Sequence, residues 1–463
     1  YMKARGLSKV VIGRDARYGS EDFTDESAQV FAGAGMDVYV LPRPLPTPVL
    51  AYAVNYLKAD VGVMVTASHN PATDNGYKVY LGGIVDGIPY HGSQIISPID
   101  KEIFHDIQSV TSLKSIKRAR NWNVLDEKII RAYVHATAAL VKVPRDIKVV
   151  YTAMHGVGTE TLRSVFHAAG FAEPILVSVQ SDPDPDFPTT PFPNPEEPGA
   201  IDLALETARS FNADIVIAND PDADRCAVAI NDGQWRMLRG DEVGAILGEY
   251  IARKNAQGVF ANSIVSSSLL SKIAHRYGLK FAETLTGFKY LSKIPNLTFG
   301  YEEALGYCVD SKSVNDKDGI SAGLKIVEIA AELKSHGSSL SEFLSEIWAT
   351  YGYYFTSQIS LRTSNLPEMT KVMTALRLAM PNEIAGFKVS RFADLAEPTD
   401  GLPPTDGIRF WLGDAIRIII RPSGTEPKIK CYIEITSHGD SASDQAIATL
   451  ARLKGPLTSL LVK

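Results

Sequence analysis

The sequence predicts a multidomain α/β protein, and three observations carry that reading: its length, its alternation of strand and helix patterns, and the polar loops that follow its apolar runs. At 463 residues the chain exceeds what one hydrophobic core organises, and roughly 150 residues per domain implies about three or four domains. Val10-Val11-Ile12, Val61-Gly62-Val63-Met64-Val65, Lys148-Val149-Val150-Tyr151 and Ile215-Val216-Ile217-Ala218 read as buried strands. In such sheets ligands bind beyond the carboxyl ends of the strands, so chemistry is expected in the residues just after each run.

Composition narrows the function. An apolar fraction of 45% and a charged fraction of 22% are those of an ordinary globular protein. No apolar run approaches the roughly 20 residues of a membrane-spanning helix, so no membrane partner is expected. A net charge of −6 argues against a nucleic-acid partner, and an anionic substrate would need a focused basic pocket. Cys226, Cys308 and Cys431 are an odd, scattered set that suggests neither a disulfide framework nor a zinc site, which fits a reducing, cytoplasmic location.

Changes of register near Val143-Pro144-Arg145, Gln257-Gly258 and Tyr351-Gly352-Tyr353 divide the chain into 1–143, 144–257, 258–350 and 351–463. The stretch from Ser181 to Gly199 is too rich in proline for a helix interior or a central strand and reads as an extended surface connection. Towards the C-terminus, Ile416 to Ile420 and Ile429 to Ile435 alternate like a half-exposed antiparallel pair.

Four loops carry candidate chemistry. Ser68, in Thr66-Ala67-Ser68-His69-Asn70-Pro71, follows the run ending at Val65, and Pro71 keeps the chain out of a helix. The loop lacks the Gly-x-Ser-x-Gly elbow of a hydrolase, and alone it reads as a turn. Asp220-Pro221-Asp222-Ala223-Asp224-Arg225 sets three carboxylates at alternate positions after a strand, a hard-oxygen set suited to Mg²⁺. An EF-hand is excluded, because Arg225 stands at its glycine position and Asn231 at its glutamate position.

Glu302 and Glu303, preceded by Thr284-Leu285-Thr286-Gly287-Phe288-Lys289, match the vicinal hydroxyls of a sugar, although an acidic helix N-terminus would look the same. Arg421-Pro422-Ser423-Gly424-Thr425-Glu426-Pro427-Lys428 gathers the donors that cradle a phosphate dianion without the spacing of a nucleotide P-loop.

Together these loops resemble the α-D-phosphohexomutase superfamily, whose signatures are a TASHNP phosphoserine loop, a DxDxDR metal loop, a sugar loop and an RxSGTEP phosphate loop. The resemblance spans roughly residues 8 to 436 and takes in Gly13 to Arg17, Asn75-Gly76-Tyr77-Lys78 and Pro193 to Gly199. It is strongest to the phosphoglucomutase-2-like and bacterial phosphoglucomutase/phosphomannomutase branch, through Glu302 to Tyr307, Thr284 to Lys289 and Asn315-Asp316-Lys317-Asp318-Gly319.

The resemblance implies four domains around a central cleft: three related α/β units with mixed sheets and a smaller C-terminal α+β domain. It implies that Ser68 carries a phosphoryl group and joins Asp220, Asp222 and Asp224 around Mg²⁺, with Arg225 supporting that loop and reaching the substrate. Thr286, Gly287, Glu302 and Glu303 would hold the sugar, while Arg421, Ser423, Gly424 and Thr425 grip its non-reacting phosphate. Arg14 and Lys289 would neutralise transferring charge, and Lys78 or His69 would serve as base, a lysine among cations having a lowered pKa.

The implied activity is interconversion of hexose 1-phosphate and hexose 6-phosphate through a hexose 1,6-bisphosphate, with glucose first and mannose second, by a monomer or homodimer. Ala304 stands where many relatives have serine, which leaves pentose phosphates and bisphosphate synthesis open. The resemblance places the family's TAGxRG segment before residue 1, with activity expected to depend on it. Two rivals differ in kind: an aspartyl-phosphate enzyme with Asp220 as nucleophile, and an inactive sugar-phosphate-binding regulator.

Overall fold

The structure, a computed structural model, describes residues 1–142, 146–254, 257–362, 366–398, 401–423 and 428–461. The change of register at Val143-Pro144-Arg145 lies outside the described residues, as do Gly424 and Thr425.

Four principal sheets follow one another along the chain. The first is mixed and six-stranded, in the order Ser93–Gln94, Tyr77–Leu81, Val61–Val65, Lys9–Arg14, Asp37–Val40, Asn123–Val124. The second, five-stranded, runs Ile175–Leu176, Val149–Thr152, Ile215–Ala218, Ala227–Asn231, Trp235–Met237. The third, four-stranded, runs Lys280–Thr284, Val259–Ser263, Leu297–Glu302, Gly306–Cys308. The fourth is antiparallel, in the order Tyr353–Arg362, Lys428–Ser437, Ile416–Pro422, Ile408–Leu412, Arg391–Asp394.

One rule relates the first three sheets. In each, a strand that is parallel to one neighbour turns and pairs antiparallel with the next: Val61–Val65 with Tyr77–Leu81, Ile215–Ala218 with Ala227–Asn231, and Leu297–Glu302 with Gly306–Cys308. The connections at these switches are the Ser68, Asp220 to Asp224 and Glu302-Glu303 loops. The fourth loop joins the antiparallel strands Ile416–Pro422 and Lys428–Ser437. The first three candidate loops are therefore turns at strand ends, set by sheet topology, and residues 424–427 of the fourth lie outside the described residues.

Burial explains why the strands were visible in the sequence. Val61–Val65 and Ile215–Ala218 are buried along their whole length, as central strands covered by helices on both faces must be. Each buried Val or Ile contributes about 1.5–3 kcal/mol. One continuous apolar cluster runs through the first three units and includes Leu50, Tyr133, Val149 and Phe260. The fourth unit has its own core, with Ile418, Ile433 and Leu453. Ile264 and Leu285 meet Ile419 and Tyr432 in a smaller cluster that joins the third unit to the fourth.

Two expectations change in detail. The C-terminal hairpin is paired as expected, Ile416 opposite Ile435, but the face with Tyr432 and Glu434 is buried instead of solvated, because it packs on the third unit. The proline-rich stretch from 181 to 199 has no helix or strand, yet it is not a solvated linker: Phe187 and Thr190 are buried. No helix among the described residues is long and apolar enough to cross a membrane.

Candidate active site

Ser68 lies three residues beyond Val65 in the left-handed region, at φ 52°, a conformation that serine adopts only under constraint. Its N–H donates to Thr66 Oγ1 at 2.9 Å, and its hydroxyl donates across the first and second units to Asp220 Oδ2 at 2.8 Å. His69 Nδ1 is 3.3 Å from Ser68 Oγ. Burial, and then the positive charge of Arg225, hold the His69 imidazole well below its ordinary pKa, so it is neutral at pH 7.

The three aspartates converge because the backbone between them turns sharply. Ala223 has φ 55°, and its N–H donates to Asp220 O at 2.8 Å. The loop is seated on residues far away in sequence. Thr47, at the start of the helix Thr47–Tyr56, donates its N–H to Asp222 O at 2.9 Å and its hydroxyl to Asp222 Oδ2 at 2.5 Å. Val157 N–H donates to Pro221 O at 2.9 Å.

Beside that bond, a Cβ on Gly156 would lie 2.3 Å from both Cα and O of Pro221, so only glycine admits the metal loop at this distance. Gly156→Ala is expected to lower stability by about 1–3 kcal/mol in denaturant unfolding and to reduce turnover with it. An alanine variant with unchanged stability and turnover would contradict this packing.

The carboxylate oxygens divide into two sets. Asp222 Oδ2 and Asp224 Oδ2 accept from Lys78 at 2.6 and 2.7 Å, and Lys317 Nζ lies 3.0 Å from Asp224 Oδ2. Asp220 Oδ1 accepts from Arg225 N–H at 3.0 Å. Asp222 Oδ1 and Asp224 Oδ1 are buried without a hydrogen-bond partner, and ligand oxygens of the three aspartates lie within 4.8 Å of one another. This donor set fits a small hard cation. Burial, reinforced by Asp222 and Asp224, pushes Asp220 upward, whereas Lys317, Lys78 and Arg225 outweigh burial at Asp224 and hold it down.

Lys78 departs from expectation. Its nearest charges are the carboxylates of Asp222 and Asp224, which raise its pKa despite burial, although Lys317 shares Asp224 Oδ2 with it. Lys289 departs as well: its ammonium lies over the Tyr290 ring, 5.4 Å from the centroid. The lysine that reaches the metal loop from the third unit is Lys317, which the sequence quoted only within a motif. Its ammonium is 6.0 Å from the Phe288 centroid. Arg14 ends its strand beside Val65, and its guanidinium pairs with Glu21 at 3.4 Å, drawn to the acidic first turn of the helix Ser20–Gly33.

The sugar loop is a hairpin turn between strands, not a helix N-terminus. Glu302 accepts from Gly287 N–H at 2.6 Å, and Thr286 Oγ1 beside it is buried without a partner. Glu303 accepts from Ser263 and Ser266 hydroxyls at 3.2 and 3.1 Å, and burial together with Glu302 and Asp241 raises it to about 7. Arg225 Nη1 lies 3.9 Å from Glu196, in the proline-rich stretch, whose carboxyl is raised by burial and lowered by Arg225 and Lys430.

From the fourth unit, Arg421 hydrogen-bonds Tyr432, whose hydroxyl is raised by burial and then by Glu303. Ser423 N–H donates to Lys428 O at 2.7 Å across the base of the phosphate loop. The structure thus brings the Ser68, Asp220 to Asp224 and Glu302-Glu303 loops together, and Arg421 reaches Tyr432 beside Glu303.

The chain matches known proteins along most of its length. Residues 1–112, 131–233 and 239–351 match the alpha/beta/alpha domains I, II and III of phosphoglucomutase/phosphomannomutase, and residues 374–447 match its C-terminal domain. The chain is 48% identical to the probable phosphomannomutase of Haemophilus influenzae, over 95% of this chain and 90% of that one. It is 34% identical to human phosphopentomutase, over 96% of this chain and 80% of that one.

In fold it is similar to a phosphoglucomutase/phosphomannomutase family protein of Burkholderia thailandensis, with a TM-score of 0.76 at 20% identity over 99% of this chain and 90% of that one. The chain belongs to the phosphoglucomutase/phosphomannomutase family of the α-D-phosphohexomutase superfamily and is an enzyme of the mutase class.

Proposed function

We propose that this enzyme interconverts hexose 1-phosphate and hexose 6-phosphate through phospho-Ser68 and a hexose 1,6-bisphosphate. The observation that carries the reading is the 2.8 Å hydrogen bond from Ser68 Oγ to Asp220, which sets the hydroxyl at the edge of the carboxylate cluster. In the first half-reaction the bond from phosphorus to Ser68 Oγ breaks and a bond to the free sugar hydroxyl forms. The proton of that hydroxyl must end on Ser68 Oγ, and neutral His69, 3.3 Å away, is suited to carry it. The bisphosphate turns over, and the reverse transfer from its other phosphate regenerates phospho-Ser68 and releases the isomer.

Asp220, Asp222 and Asp224 would hold Mg²⁺, which supplies charge neutralisation for the loose phosphoryl transition state. Lys78 and Lys317 balance the carboxylates and keep the cluster from repelling itself apart. Glu302, Glu303 and Thr286 would receive the sugar hydroxyls, and Arg225 would face the transferring phosphate. Arg421 and Ser423, with Gly424 and Thr425, would hold the other phosphate. A cytoplasmic location fits three buried free cysteines.

Glucose phosphate is the first-choice substrate and mannose phosphate the second. The relatives named phosphopentomutase and glucose 1,6-bisphosphate synthase favour a second reading, in which the same chemistry serves ribose phosphate or bisphosphate formation. Comparing kcat/KM for glucose 1-phosphate, mannose 1-phosphate and ribose 1-phosphate decides between them. A hexose phosphate is expected to lead by about tenfold or more, the scale set by hydroxyl recognition in a buried polar site. Ribose 1-phosphate leading by that margin would replace the hexose reading.

A further inference from the structure

Arg17 follows the first strand and is 4% exposed, yet none of the roles above uses it. Its guanidinium is spent on the backbone of the phosphoserine loop. Nη2 donates to Ser68 O at 2.6 Å and Asn70 O at 2.7 Å, and Nη1 donates to Pro71 O at 2.8 Å and Asp74 O at 3.3 Å. Nε faces Asp15 Oδ2 at 3.3 Å, and the residue's own N–H donates to Asp15 Oδ1. The two Nη atoms therefore meet four carbonyls in one rigid plane, while Nε lies within ion-pair range of Asp15 without hydrogen-bonding it, and only a guanidinium can reach all four carbonyls at once.

The other side of Arg17 is closed by the second unit. Its guanidinium carbon lies 4.8 Å from the centre of the Phe187 ring. Phe187 is 3% exposed and belongs to the proline-rich stretch that the sequence presents as a linker. Asp15 is held in turn by Ser20 Oγ at 2.6 Å, and its own N–H donates to Val65 O at 3.0 Å. The first strand end, the phosphoserine loop and the proline-rich stretch thus meet on one buried side chain.

We propose that Arg17 is the positioning residue of the phosphoryl carrier: by fixing the carbonyl of Ser68 while Thr66 fixes its N–H, it aims Oγ at Asp220. The left-handed conformation of Ser68 makes such a device necessary, because an unsupported serine relaxes out of that region and swings its hydroxyl away. Phe187 prevents the guanidinium from leaving the carbonyls, which gives the proline-rich stretch a part in catalysis. This inference rests on the reading of Ser68 as phosphoryl carrier.

The test uses the full chain carrying Arg17→Lys or Arg17→Met, with Ser68→Ala as a control. Steady-state turnover, the rate of Ser68 phosphorylation by glucose 1,6-bisphosphate and Tm are measured on each. Arg17→Lys keeps a cation beside Asp15 but cannot reach four carbonyls. At near wild-type Tm it is expected to lose about 10²-fold in kcat and in phosphorylation rate, while KM stays within about threefold, since Arg17 touches no substrate. Arg17→Met is expected to lose at least as much.

A kcat and phosphorylation rate within about threefold of wild type in either folded variant, or a loss carried by KM alone, would overturn the proposal. If Arg17→Met does not fold, Arg17→Lys decides. Turnover that survives in Ser68→Ala overturns the carrier reading itself, which distinguishes the two failures.

Discussion

Ser68→Ala is expected to abolish mutase turnover, by about 10⁴-fold or more in kcat, with little change in stability. The large effect follows from the proposed role of the hydroxyl as the covalent station between donor and acceptor, without which the two half-reactions are not coupled. The small stability change follows from its surroundings. Ser68 Oγ has one strong partner, Asp220, whose other oxygen keeps the N–H of Arg225. Removing the donor leaves Asp220 with one bond fewer and costs about 1 kcal/mol or a little more. Turnover assays with added glucose 1,6-bisphosphate, alongside a denaturation curve, check both parts. Retained turnover would return the protein to the aspartyl-phosphate alternative.

The second large effect concerns the carboxylate cluster. Chelation by EDTA is expected to stop turnover, and Mg²⁺ to restore it, with a loss of at least about 10³-fold, equivalent to ~4 kcal/mol of transition-state stabilisation. Asp224→Asn should lose as much and not recover with Mg²⁺. The same substitution should also destabilise the fold, because Asp224 Oδ2 is the shared partner of Lys78 and Lys317. Breaking a buried pair in this way costs about 3–5 kcal/mol. Asp224→Asn with wild-type turnover, or an enzyme indifferent to EDTA, would remove the cation from the account.

What could be read from the sequence follows from the physics of each element. The central strands were legible because burial on both faces forces continuous apolar runs, as at Val61–Val65 and Ile215–Ala218. Ser68 and the three aspartates were legible because each stands just after such a run. The Glu302-Glu303 turn was ambiguous, since paired acids suit both a helix N-terminus and a hairpin, and the antiparallel return through Gly306–Cys308 is a tertiary fact.

Positioning residues were the least visible. Thr47 reaches Asp222 across 175 positions in sequence, and Arg17 reaches the Ser68 loop across 51 or more. Neither stands in a pattern that names its partner. Lysines exposed the same gap. Lys289 and Lys317 flank the same sugar loop, and only the fold shows that the first lies on Tyr290 while the second meets Asp224. The surroundings of Lys78 were hidden because its nearest charges in space are acids contributed by another unit.

The central claim is that Ser68 is the phosphoryl carrier, and the measurement that tests it most directly is the site and chemistry of protein-bound phosphate. The protein is incubated with glucose 1,6-bisphosphate carrying labelled phosphate, treated with hydroxylamine and digested. The account predicts a label that survives hydroxylamine and resides on the peptide containing Ser68. A label released by hydroxylamine, or one found on the peptide of Asp220, would contradict it.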